Sequence, residues 1–130
     1  MPRCRMGKRI LSVGQCSPDG SAITAFLEQT FAAEVETADT ADEAMSSIHN
    51  GPFDLVLINR IFDADGGSGL ELIRSIKKDS GICKVPVMLV SNLADAQERA
   101  VAAGAEPGFG KAQVGTPEAI ARLEDLLLEE

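Results

Sequence analysis

Short runs of consecutive apolar residues alternate with longer segments of helical period along almost the whole chain. Arg9–Val13 is one such run, closed by Gly14, and the sequence from Ser17 then repeats Ile23, Phe26, Leu27, Thr30 and Phe31 on one helical face. Val35–Ala38 reads as a weaker second strand. Thr40 and Glu43 have capping-box spacing and open a helix with Ala41, Ala44, Met45 and Ile48 inward, ended by Asn50-Gly51-Pro52. Phe53–Ile58 is apolar nearly throughout, the pattern of a strand covered on both faces. Ser68 and Glu71 repeat the capping-box spacing before Leu72, Ile73 and Ile76. Val85–Val90, with Pro86 near its start, reads as the fourth strand, and Asp95–Ala103 as a short helix stopped by Gly104. A brief strand at Pro107–Phe109 and a helix from Thr116-Pro117, carrying Ile120, Leu123 and Leu127 inward, complete the series.

Five strand–helix units in strict alternation, joined by right-handed crossovers, predict an α/β fold. Its doubly wound, five-stranded parallel sheet carries helices on both faces. At 130 residues the chain is the size of one domain, here residues 9–130 behind a basic tail at residues 1–8. In such a sheet function gathers at the carboxyl ends of the strands. Those positions are Gly14-Gln15-Cys16, Asn59-Arg60, Ser91-Asn92 and Lys111, a set with no carboxylate and no His.

Charge narrows the function classes. Twenty acids against twelve Lys and Arg give a net charge of −8, and four of those cations (Arg3, Arg5, Lys8, Arg9) fall in the first nine positions. The remainder is too acidic to grip a phosphate backbone, so no nucleic acid is expected as partner. No run approaches the ~20 apolar residues of a membrane span. Three widely spaced cysteines without a Cys-x-x-Cys pair fit reduced thiols and a cytoplasmic location.

Over nearly its whole length the chain resembles the receiver domains of two-component response regulators. The matching stretches are Lys8–Val13, Phe53–Asn59, Val85–Ser91 and Gly104-Ala105 through Phe109 to Lys111. The resemblance implies a flavodoxin-like fold and phosphorelay signal transduction. Such domains place two acids after the first strand, a phosphoacceptor Asp after the third, Ser or Thr after the fourth and Lys after the fifth. Here Ser91 and Lys111 match that pattern. Gly14 and Gln15 stand in place of the acidic pair, Asn59 in place of the phosphoacceptor, and Gly108 in place of the aromatic residue three before the Lys. The loop from Arg60 to Gly69 is about two residues longer than the pattern and lacks its Met-Pro step.

These replacements predict a pseudo-receiver. An amide nitrogen does not accept a phosphoryl group, and Mg²⁺ seeks hard anionic oxygens, so its binding should be lost or weak and no cofactor is expected. Deamidation of Asn59 to Asp is disfavoured because Arg60 follows it, whereas Asn50-Gly51 has the susceptible dipeptide at the wrong end of a helix. The expected role is phosphorylation-independent protein–protein interaction, without enzymatic activity. The partner would be a histidine kinase or an output protein, or a second copy through the fourth and fifth helices. One alternative is phosphorylation at an unorthodox acid, Asp63 or Asp65, whose Asp-x-Asp-Gly spacing is otherwise that of a solvated turn. Another is a small-ligand site at the sheet's carboxyl edge, although no Gly-rich phosphate loop is present. Ser91 and Lys111, freed of three acids, would attract an anion or a partner's carboxylate, or Lys111 would bond to Asn59. Cys16, before a helix start, is read as an incidental thiol rather than a redox centre, and His49 as a surface residue ending its helix.

Overall fold

The computed structural model describes residues 8–15, 17–51, 53–62 and 66–127. The basic tail before Lys8, Cys16 and the acids Asp63 and Asp65 lie outside the described residues, as does the side chain of Lys111.

Five strands alternate with five helices: β1 Arg9–Val13, α1 Ser17–Phe31, β2 Glu34–Ala38, α2 Ala41–Asn50, β3 Leu55–Asn59, α3 Gly69–Lys78, β4 Val87–Val90, α4 Ala94–Ala102, β5 Glu106–Phe109 and α5 Pro117–Leu127. A single 3₁₀ turn, Lys111–Gln113, joins β5 to α5. The strands are all parallel in the order β2-β1-β3-β4-β5, so the expected five-stranded doubly wound sheet is observed. The order reverses between β1 and β3, which sets the crevice where such sheets hold their sites.

Alternation along the strands divides the interior into two cores. Leu11, Val13, Val56, Ile58, Val87 and Leu89 face Ala44 and Ile48 of α2, Leu72, Ile73 and Ile76 of α3, and Ala100 of α4. Ile10, Leu55, Leu57, Met88 and Val90 face Ile23, Phe26 and Leu27 of α1 and Ala119, Leu123 and Leu127 of α5. β3 is buried at every residue, as its unbroken apolar run requires. Ala119 takes the fully buried place on α5, while Ile120, one of the residues expected there, is only half-buried.

The helix starts carry the expected caps, with differences in the returning acid. Thr40 Oγ1 accepts the Glu43 amide at 3.3 Å, and Glu43 reaches back to the Asp39 amide at 2.9 Å rather than to that of Thr40. Ser68 Oγ accepts the Glu71 amide at 3.3 Å, but the Glu71 carboxylate pairs with Arg74, so only half of that capping box forms. His49 is exposed, as expected, and its Nε2 lies 2.8 Å from Asp79 Oδ2, joining the end of α2 to the end of α3. The Gly81 amide bonded to Asp79, and then His49, hold the Asp79 carboxyl below its ordinary pKa. Lys77 closes the α3–β4 connection by donating from Nζ to the carbonyls of Cys83 (3.0 Å) and Val85 (2.8 Å). Among the described residues no helix is long and apolar enough to cross a membrane.

Candidate functional site

Gly14 and Asn59 meet at the point where the strand order reverses. Gly14 leaves β1 in the left-handed region (φ 76°), and its amide donates to the Ala38 carbonyl at 2.8 Å. Asn59 ends β3, and only 7% of its surface is exposed. Its Nδ2 donates to the carbonyls of Gly14 (3.0 Å) and Ile61 (2.7 Å), while its Oδ1 accepts the Arg60 amide at 3.1 Å. Both donors of the carboxamide face acceptors, and its oxygen faces a donor. That arrangement suits an amide and opposes a carboxylate, which has no proton to offer either carbonyl.

Asn59→Asp is therefore expected to destabilise the protein by about 2 kcal/mol at neutral pH, from two lost bonds and the carboxylate left against carbonyl oxygens. The introduced acid would have its pKa raised by folding. The full penalty should hold above that raised value, and the part due to the charge should disappear below the unfolded value of roughly 4, leaving the one bond that a single acid proton does not replace. Urea unfolding as a function of pH measures it, and a variant as stable as the parent at neutral pH would contradict the assignment.

The long loop after Asn59 folds back on itself. The Phe62 amide donates to the Gly67 carbonyl and the Gly66 amide to the Phe62 carbonyl, both at 2.8 Å; Ile61 and Ser68 form an antiparallel bridge; and the Gly69 amide donates to Arg60 O at 2.8 Å. This buckle drives the Phe62 ring into the core with Val13, Ile58 and Leu72, leaving it 1% exposed. The ring lies against Gly14. A Cβ added there would overlap it, with Phe62 Cγ at 2.9 Å. Gly14 thus answers to two demands, its backbone conformation and the close approach of Phe62. Phe62 carries no periodic signal in the sequence, where it is a lone aromatic in a loop of Asp, Gly and Ser.

Beside Asn59 lies a cleft of about 300 Å³ formed by Asn59, Arg60, Ile61, Val90, Ser91, Asn92 and Leu93. The buried Ser91 turns its hydroxyl into its own loop, accepting the Leu93 amide at 3.1 Å. Asn92 Oδ1 accepts the Ala112 amide at 3.2 Å, tying this loop to the turn that begins at Lys111. The sheet edge thus brings Gly14, Asn59, Ser91 and the backbone of Lys111 to one end of the molecule. Gln15 faces away from the cleft, into a cavity beside α1. No acid among the described residues lines the cleft. Among the described residues no group of three or more His, Cys, Asp or Glu is placed to hold a metal ion. Neutral amides and Arg60 are a poor donor set for Mg²⁺, so the residues present do not fit that ion.

Gly108 occupies the middle of a second arrangement. The β4–β5 register shifts between Met88 and Val90, and the side chain of Gln97 from α4 fills the irregularity. Gln97 Nε2 donates to the carbonyls of Leu89 (2.8 Å) and Ser91 (3.1 Å), and its Oε1 accepts the Gly108 amide at 3.1 Å. From α5, Arg122 donates to the Gly108 carbonyl. A Cβ on Gly108 would overlap the Leu89 carbonyl oxygen and come within 3.0 Å of Gln97 Oε1. Gln97 went unnoticed in the sequence because an amide at helical spacing looks like any solvated residue. On the outer side, α4, β5 and α5 bound a groove of about 790 Å³ that includes Leu93 (51% exposed), Val101 (44%) and Pro107.

No protein-family profile matches the chain. It is similar to a gliding motility regulatory protein of Myxococcus xanthus, at 29% identity over 121 residues, or 92% of this chain. The chain spans only 15% of that relative's length. Among solved structures it resembles a putative response regulator from Chloroflexus aurantiacus (TM-score 0.83, 18% identity), covering 95% of this chain and 99% of the other. It also resembles the signal receiver domain of a DNA-binding response regulator from Colwellia psychrerythraea (TM-score 0.78, 24% identity), covering 94% of this chain and 99% of the other. The chain has the receiver-domain fold, in agreement with the resemblance read from its sequence.

Proposed function

We propose that this chain is a pseudo-receiver, a signal-transduction domain that binds protein partners without being phosphorylated. The observation that carries the reading is Asn59, whose amide is committed on both sides to backbone groups at the position where a receiver's acceptor Asp is expected. Gly14, covered by Phe62, supports it from the neighbouring strand, since a side chain at that position would overlap the ring. Among the described residues no carboxylate lines the cleft to hold Mg²⁺ or to take a phosphoryl group, which supports the same reading.

Partner binding falls to the surface. The groove between α4 and α5 exposes Leu93 and Val101 next to Pro107, an apolar strip on an otherwise acidic molecule. A histidine kinase, an output protein or a second copy of the chain would bind there. Gln97 and Arg122 hold α4, β5 and α5 together behind it, so the surface is presented in one arrangement. The relative's description as a motility regulator is consistent with such a role within a longer protein.

Incubation with acetyl phosphate and Mg²⁺ followed by intact-mass measurement tests the proposal. No phosphoryl adduct is expected, at any time point. An adduct that peptide mapping places on Asp63 or Asp65 would replace this reading with that of an unorthodox acceptor.

A further inference from the structure

A second cavity, separate from the cleft at Asn59, lies between α1 and the carboxyl end of β2. It measures about 420 Å³, within the range of small-molecule sites. The wall from α1 is made of Gly20, Thr24 and Glu28, four residues apart and so on one helical stripe, with Ser21 alongside. Gly20 sits inside the helix, where Ala would be about 1 kcal/mol more favourable. A Cβ there would only touch Gln15 Cβ at 3.5 Å, so packing does not require glycine.

The floor is polar and unpartnered. Ser12 is the one polar residue among the β1 side chains that face α1, and it is 1% exposed. Its Oγ, and both the oxygen and nitrogen of the Gln15 carboxamide, are buried with no hydrogen-bond partner among the described residues. Such atoms destabilise a fold unless something else satisfies them. Among the described residues the charged side chains lining the cavity are acids, Glu28 and Asp39, and both are exposed. Donors and acceptors below, carboxylates above and no cation among the described residues of the wall together select a ligand.

We propose that this cavity binds a small polyhydroxylated amine, of the size and chemistry of an amino sugar. Its ammonium group faces Glu28 and Asp39, and its hydroxyls satisfy Ser12 and Gln15. The inference is independent of the pseudo-receiver reading and survives or fails by itself.

Glucosamine is the probe and glucose, equal in shape but uncharged, the control. In ¹H–¹⁵N NMR titrations of the full chain, glucosamine is expected to shift the Gln15 side-chain amide and the backbone amides of Gly20, Thr24 and Ala38 saturably. Glucose should bind at least about tenfold more weakly, the scale of hydrogen bonds to a charged group. Glu28→Gln with Asp39→Asn, both at exposed positions, should weaken glucosamine by a similar factor while leaving the rest of the spectrum unchanged. Ser12→Ala should lower affinity yet raise the melting temperature, because it removes an unpartnered buried hydroxyl. Absence of saturable shifts, equal response to glucose, or shifts indifferent to Glu28 and Asp39 would each overturn the proposal.

Discussion

Gly108→Phe, which would put an aromatic residue where receivers usually carry one, is expected to destabilise the protein by about 4–6 kcal/mol. Two costs combine in that figure: roughly 1–3 kcal/mol for forcing atoms into packed space and about 1 kcal/mol for each Gln97 bond that is lost. The first arises because even the Cβ overlaps the Leu89 carbonyl oxygen, so β4 and β5 must separate. The second follows because Gln97 can no longer bridge Leu89, Ser91 and Gly108. Urea unfolding should show a lower midpoint with an unchanged slope, the mark of a stability change within a two-state transition. The Gln97 side-chain amide should move toward its solvent-exposed chemical shift. A stable variant with Gln97 unperturbed would mean that the strand edge has slack that the packing at Gly108 does not suggest.

Gly14→Asp, which would restore an acid after β1, is expected to cost about 2–4 kcal/mol. A left-handed φ costs a non-glycine residue about 1–2 kcal/mol, and displacing a buried ring adds a penalty of the overpacking kind. The source of the second part can be isolated. Phe62→Ala alone should cost about 3–5 kcal/mol through the cavity it leaves. In the double variant the aspartate side chain gains the space of the missing ring. The two effects should then sum to less than their separate values, with a coupling of roughly 1 kcal/mol or more. Additivity within error would show that the ring and Gly14 do not compete for the same volume. Such a double variant still presents Asn59 at the end of β3, so no phosphoryl adduct is expected from it either.

Much of this architecture is legible in the sequence. Apolar runs and helical stripes report which face of each element is buried, and five alternating units leave few arrangements of a parallel sheet. The positions of Gly14, Asn59, Ser91 and Lys111 at one edge followed from that alone. What periodicity does not report is a polar or aromatic side chain that crosses between elements. Phe62 enters the core from a loop, so no repeat marks it. Gln97 bonds to backbone groups of two strands, and backbone groups have no sequence signature. Glu71 illustrates the same point on a smaller scale: the capping-box spacing was correct, yet Arg74, three residues further along, takes its carboxylate. Local rules set the options, and a nearby charge chose among them.

The two outer strands bear on how copies of the chain can assemble. β2 exposes Glu34 and Glu36, and β5 exposes Glu106 and Pro107. Joining two sheets edge to edge through β2 would bring carboxylates of like sign together, and Pro107 has no N–H to offer a neighbouring strand on the other side. Neither rim is a template for adding a strand from another molecule. The sheet is finished at five strands, and a concentrated solution of this chain should resist the cross-β aggregation to which bare sheet margins are prone.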